Sequence, residues 1–203
     1  MLLEIVRRTQ KSVRRRGVME TIKLVAPAVV HDVRARLTGG LQHAPGASAT
    51  SLRLDQEYGI DTAGAVELTD LSIGTDSWIY GVRYQPIGAT EFHRLLRAVP
   101  IPFEECAFVD IGSGKGRALV LASEYPFRRI AGVEFSEALH QAAEKNLRAF
   151  RGQRRCEAFE LYHLDALAYD LPEGPLVLFL YNPFGAEIMA PLVRRVGESL
   201  AAS

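Results

Sequence analysis

The run Gly112-Ser113-Gly114-Lys115-Gly116 is the part of the chain best suited to chemistry. Glycines let a backbone approach a ligand closely, and a glycine turn ahead of a helix presents free N–H groups at the helix N-terminus. A tight turn without a ligand uses the same residues, so the neighbours must decide. Asp110 lies just before the run, where a dinucleotide pyrophosphate would meet like-charge repulsion of about 1 to 4 kcal/mol at a surface-like dielectric. A cationic ligand is favoured there instead. The third glycine position of a G-x-G-x-x-G fingerprint is Arg117, so the nicotinamide-dinucleotide pattern is not met. The P-loop pattern fails as well, because Lys115 is followed by Gly116 and not by a Ser or Thr that could hold magnesium.

Further along, Glu134 falls about twenty residues beyond the glycines, where a carboxylate can accept both hydroxyls of a ribose. A solvated Glu ahead of a helix is the alternative. Asp165 could accept from an exocyclic amino group or could cap a loop. The string Tyr181-Asn182-Pro183-Phe184-Gly185 follows an apolar run. There the Asn182 side-chain oxygen and a carbonyl beside Pro183 could hold the hydrogens of an amine, while Phe184 could stack on a flat substrate. A capped turn broken by Pro183 is the competing reading. Upstream, Tyr84 and Thr62 are weaker candidates for contact with a cofactor, against a core Tyr and a loop Thr.

These residues need a frame, and the hydrophobic pattern supplies one. Short apolar runs at 107–111, 130–134, 158–163 and 176–181 read as strands, and residues 117–125, 136–151 and 186–200 read as helices. The alternation is a βαβ series, hence a mostly parallel sheet with helices on both faces. A helix over 91–99 is stopped by Pro100 and Pro102, and residues 66–73 and 78–82 alternate loosely as short strands. Residues 2–37 suit one or two amphipathic helices with a basic face, and residues 39–51 read as a linker. Three segments follow: a basic helical extension with its linker over 1–50, a cofactor-covering stretch over 51–103, and a core over 104–203.

The bulk composition agrees with one well-buried domain plus an appendage. The 203 residues are 48% hydrophobic and 24% charged, with zero net charge. The balance is uneven: residues 1–50 hold nine Lys and Arg against three Asp and Glu, and the remainder holds fifteen against twenty-one. That basic head lacks aromatic residues for base stacking, so a solvated helix face is the simpler reading than a nucleic-acid or membrane contact. No apolar run approaches the roughly 18 to 20 residues of a membrane span. The two cysteines, Cys106 and Cys156, have no metal-ligand spacing, and His93, His140 and His163 are scattered. No metal site is expected, and a cytoplasmic location is.

Taken together, FVDIGSGKGRALVLAS, GVEFS, LDA and YNPFG resemble the class I (Rossmann-like) S-adenosylmethionine-dependent methyltransferases over residues 104–190. VDIGSGKG is also similar to the glycine motif of non-SET histone-lysine methyltransferases. The resemblance implies that Asp110, Gly112, Ser113, Gly114 and Gly116 contact the methionine end of S-adenosyl-L-methionine, Glu134 the ribose and Asp165 the adenine side, with Tyr84 and Thr62 in the covering region. It further implies that Asn182, Pro183 and Phe184 form the acceptor motif, similar to the (Asn/Asp)-Pro-Pro-(Tyr/Phe) of amine methyltransferases but without the second Pro. The family sheet has seven strands, so the chain is expected to fall short of the C-terminal ones. That would leave residues 176–181 as an apolar edge, to be covered by the N-terminal segment, a second subunit or further chain. The methyl acceptor is not identified. A noncatalytic cofactor-binding module and an NAD(P)-dependent oxidoreductase are the alternatives.

Overall fold

The computed structural model describes residues 49–64, 66, 84–181 and 183–202. The basic N-terminal helices, the linker up to residue 48 and most of the two loose strands lie outside the described residues. Two compact units divide the chain, one of Gly46–Phe92 with Phe103–Ser203 and the other of Met1–Pro45 with His93–Pro102. In the described part of the second, the N–H groups of Ala98 and Val99 donate to the Leu95 and Leu96 carbonyls.

The first unit holds a four-stranded sheet, every strand pair parallel, in the order β3-β2-β1-β4. Its strands are β1 (Ala107–Ile111), β2 (Arg129–Glu134), β3 (Phe159–His163) and β4 (Leu176–Phe179). Among the described residues the helices are α1 (Ala49–Tyr58), α2 (Ala89–Arg97), α3 (Arg117–Ala122), α4 (Glu137–Ala149) and α5 (Ala186–Ala202), with a 3-10 turn at Phe103–Glu105. Helix α1 begins where residues 49–51 were read as the end of a linker. None of the helices among the described residues is long and apolar enough to cross a membrane.

The central strand is buried along its whole length, as a continuous apolar run in a parallel sheet should be. Its side chains alternate between the two faces. Phe108 points into an aromatic cluster with Phe92, Phe127 and Phe179, at centroid distances of 6.0, 5.2 and 5.7 Å. Val109 and Ile111 point the other way, into a cluster with Ala131, Val133, Ile188 and Leu192, so α5 covers that face. Burying each such side chain contributes roughly 1.5 to 3 kcal/mol. Strands β3 and β4 form the edges, and β4 is only half-buried throughout. The apolar edge expected from the sequence is therefore an edge of the described sheet.

Local chemistry sets the helix starts. Ser136 is extended at φ −82° and ψ 118°, and its Oγ accepts from the Leu139 N–H at 3.4 Å, capping α4. Helix α3 starts from Gly116, which has no side chain with which to cap it. It ends at Ala122, shorter than the 117–125 read from the pattern, as the Ser123 hydroxyl turns back to donate to the Val120 carbonyl at 2.6 Å.

Candidate active site

Strand β1 is flanked by β2 on one side and β4 on the other, so the chain leaves neighbouring strand ends in opposite directions at this point. In an open parallel sheet the crevice beyond the carboxyl ends at such a switch point is the usual ligand site. Here it is an open cleft, with about 600 Å³ of empty space counted out to its mouth. Asp110, Gly112, Ser113, Gly114, Arg117, Glu134, Tyr84, Pro183 and Phe184 are among its lining residues.

The glycine turn is shaped by its neighbours. Gly112 has φ +81°, and a Cβ there would stand 2.5 Å from the Cβ of Pro183. Its N–H and that of Ser113 donate to the Val133 carbonyl at 2.8 and 3.1 Å, which binds the turn to the end of β2. Gly114 has φ +55°, and its face is covered by the Tyr84 ring. Gly116 packs against Ala143 of α4 and its N–H donates to the Ser113 carbonyl, so it shapes the turn from behind without appearing in the cleft lining.

Two carboxylates stand in this small space. Asp110 is 3% exposed and accepts no hydrogen bond from the described residues. Burial, reinforced by the neighbouring Glu134 charge, pushes its carboxyl up to about 8. Glu134 is equally buried but better held: Oε2 accepts from the Gly114 N–H at 2.8 Å and Oε1 from the Ser136 N–H at 3.0 Å. Burial raises its carboxyl, and these N–H groups together with that of Phe135 oppose the rise. The floor of the cleft is thus lined by two desolvated carboxyl groups that gain by ionising beside a cation, a setting that favours a cationic or hydroxyl-rich ligand over a phosphate.

Other residues read from the sequence fall elsewhere. Thr62 is fully buried and outside the cleft lining. Its hydroxyl donates to Asp55 Oδ1 at 2.7 Å and accepts from Arg117 Nη1 at 2.7 Å, so its polar capacity is spent inside the protein. Asp165 lines a smaller adjoining hollow with Phe135, Ala166, Phe184 and Ile188, and its Oδ1 accepts from the Leu167 N–H at 2.8 Å. Since Phe135 and Phe184 border both spaces, the hollow continues the cleft. Tyr84 lines the cleft and its hydroxyl donates to the Thr62 carbonyl at 2.9 Å; burial raises that phenol far above its ordinary value. Asn182 lies outside the described residues, although Pro183 and Phe184 beside it form part of the wall.

The sequence reading missed two anchors. Asp55, on α1, accepts from the Thr62 N–H at 2.6 Å, from the Thr62 hydroxyl and from Arg117 Nη1 at 3.2 Å, a buried ion pair. Asn146, on α4, takes the Asp61 N–H on Oδ1 at 2.8 Å and donates from Nδ2 to the Asp61 and Lys115 carbonyls, both at 2.9 Å. It thereby clamps the segment after α1 to the glycine turn.

No protein-family model matches the chain, and a search of curated proteins found no match. Solved structures that resemble it include methyltransferases. The tRNA (m1A58) methyltransferase TrmI of Aquifex aeolicus is 20% identical, with a TM-score of 0.40, over 56% of this chain and 42% of that one. A putative RNA methyltransferase of Pyrococcus horikoshii is 19% identical, with a TM-score of 0.43, over 63% and 62%. The amino pentose methyltransferase CalS10 of Micromonospora echinaspora is 18% identical, with a TM-score of 0.38, over 55% and 44%. The chain thus spans less than two thirds of the length of each. Likeness at this level transfers neither an activity nor a substrate.

Proposed function

We propose that this chain is an S-adenosyl-L-methionine-dependent methyltransferase, acting on an acceptor whose identity is open. The observation that carries the reading is the meeting of a buried carboxylate, Asp110, with the glycine turn and Glu134 in one cleft at the sheet's switch point. The cofactor fits these residues by chemistry. Asp110 suits the ammonium group at the methionine end, and the open side of Glu134 suits the ribose hydroxyls. At Gly112 and Gly114 the missing Cβ leaves room for Pro183 and Tyr84 to close over the turn beside the ligand. A dinucleotide pyrophosphate would meet Asp110 instead of a cation.

When bound, S-adenosyl-L-methionine supplies an electrophilic methyl group on a sulfonium. The protein's part is to align the acceptor in line with that methyl and to exclude water, effects that can supply about 7 to 11 kcal/mol. Pro183 and Phe184 form the wall that shields the reacting end, and Asn182, between them and Tyr181 in sequence, is our candidate for orienting an acceptor amine. Support for an amine comes from the position of this string after β4. The two buried thiols, Cys106 and Cys156, suit a reducing compartment, and we propose the cytoplasm. For the β4 edge we propose cover from a second copy or another partner.

Calorimetric titration with S-adenosyl-L-methionine, S-adenosylhomocysteine and NADH in parallel tests the cofactor reading. Binding of the first two and not the third is expected. Binding of NADH alone would overturn it in favour of an oxidoreductase.

A pH profile follows from Asp110. Its ionised form attracts the cationic methionine end, and its carboxyl sits at about 8. Below that value a proton must leave before the charge pair forms, so Kd should rise about tenfold per pH unit as pH falls from 8 towards 6. Proton release, measured in buffers of differing ionisation enthalpy, should accompany binding at pH 7. A Kd that does not change between pH 6 and 8 would contradict this role, and Asp110→Asn should remove the slope.

A further inference from the structure

Arg117 is the first residue of α3, 1% exposed, and it is distributed over three partners. Its Nε donates to the Ile87 carbonyl at 2.8 Å, and its Nη1 donates to Asp55 Oδ1 at 3.2 Å and to Thr62 Oγ1 at 2.7 Å. Nη2 is different, for it is buried and has no hydrogen-bond partner among the described residues. An unsatisfied guanidinium nitrogen in so dry a place costs about 1 to 3 kcal/mol or more, so a side chain held in this way calls for a partner. Arg117 also lines the cleft, with Asp110 and the glycine turn.

We infer that Arg117 Nη2 is the carboxylate-binding donor of the cleft, and that with Asp110 it recognises the zwitterionic α-amino-acid head of the ligand. The inference rests on the cofactor reading above, since it assigns the two charges of the methionine end to separate residues. Asp110 takes the ammonium and Arg117 takes the carboxylate, a division that a single acidic floor could not make. Asp55 is a positioning residue for this device: by holding Nη1 it fixes the rotation of the guanidinium and leaves Nη2 free. Nη2 is closed off from bulk water as the structure stands, so the carboxylate reaches it after a small opening of the cleft wall. Tyr84 lines the cleft beside it, and its hydroxyl donates to the Thr62 carbonyl.

The test compares S-adenosyl-L-methionine with its decarboxylated analogue, which keeps the sulfonium and the ammonium and lacks only the carboxylate. The wild-type chain should bind the carboxylated ligand about 10- to 100-fold more tightly, the range of a charge-assisted hydrogen bond. In Arg117→Met, with folding checked by thermal melting, the two ligands should come within about threefold of each other, and Arg117→Lys should keep part of the preference. Equal binding of both ligands by the wild-type chain would overturn the inference and leave the cofactor reading standing. A preference that persists in folded Arg117→Met would do the same. If neither ligand binds the wild-type chain, the cofactor reading fails and this inference falls with it. The wild-type comparison needs no variant, so it decides even if Arg117→Met does not fold.

Discussion

Replacing Asp55 by Ala should lower the stability of the chain by about 3 to 5 kcal/mol, the cost of stranding one member of a buried ion pair. The Arg117 guanidinium would lose its counter-charge at a site where its side chain is 2% exposed. Two backbone N–H groups, of Thr62 and Ala63, would lose the carboxylate that accepts them. Burial already pulls the Arg117 guanidinium below its ordinary value and Asp55 opposes that pull, so the pair is held together against a desolvation penalty. The double variant Asp55→Ala with Arg117→Met should recover part of the loss, since an apolar side chain of similar length no longer needs a partner. Urea denaturation of the two variants beside the wild-type chain checks both statements. A single-variant loss below about 1 kcal/mol would mean that the pair is solvated more than its burial indicates.

Gly114→Ala is the second large effect. An alanine Cβ at this position would lie 2.3 Å from two ring carbons of Tyr84, and the backbone there sits at φ +55°. The left-handed conformation costs an L-residue roughly 1 to 2 kcal/mol, and forcing a side chain into filled space costs about 1 to 3 kcal/mol more. Tyr84 would have to swing out, breaking its hydrogen bond to the Thr62 carbonyl and reshaping the cleft. Affinity for S-adenosyl-L-methionine should fall by about 30-fold or more, which corresponds to the lower end of that combined cost. Gly88→Ala is the control, because a Cβ there has nothing within 4 Å. Equal affinities for Gly114→Ala and the wild-type chain would show that the glycine turn is not where the ligand approaches.

Much of this was legible in the sequence because parallel strands buried on both faces are written as unbroken apolar runs. Ala107-Phe108-Val109-Asp110-Ile111 is such a run, and it became β1 with the same ends. Ser136 before a helical pattern announced the start of α4. The glycine turn and the two acids were readable because a strand, a turn and a helix of fixed length set their spacing. What stayed hidden depends on contacts across long separations. Asp55 and Arg117 are 62 residues apart, and Asp61 and Asn146 are 85 apart; neither pair leaves a short motif. Arg117 was visible only as a missing glycine, although its burial against Asp55 is what that substitution serves. Thr62 was chosen for its neighbourhood in the chain, but a hydroxyl with two strong partners close by turns inward.

The strand order has a consequence for how the molecule assembles. Strand β1 pairs with β2 and β2 with β3, across connections of one helix each, so the three form a block of near-neighbour contacts. Strand β4 pairs only with β1, matching Leu176 to Ala107, and must return past the whole block to do so. Closing so long a loop has its entropic cost before any contact rewards it, so docking of β4 belongs late in folding. Being half-buried, β4 is also the strand of that pair with less to hold it in place once docked. Pro183 and Phe184 follow directly on this strand and form one wall of the cleft. The cleft's closing wall thus follows the strand expected to dock last, so a ligand bound against Pro183 and Phe184 should favour the docked state.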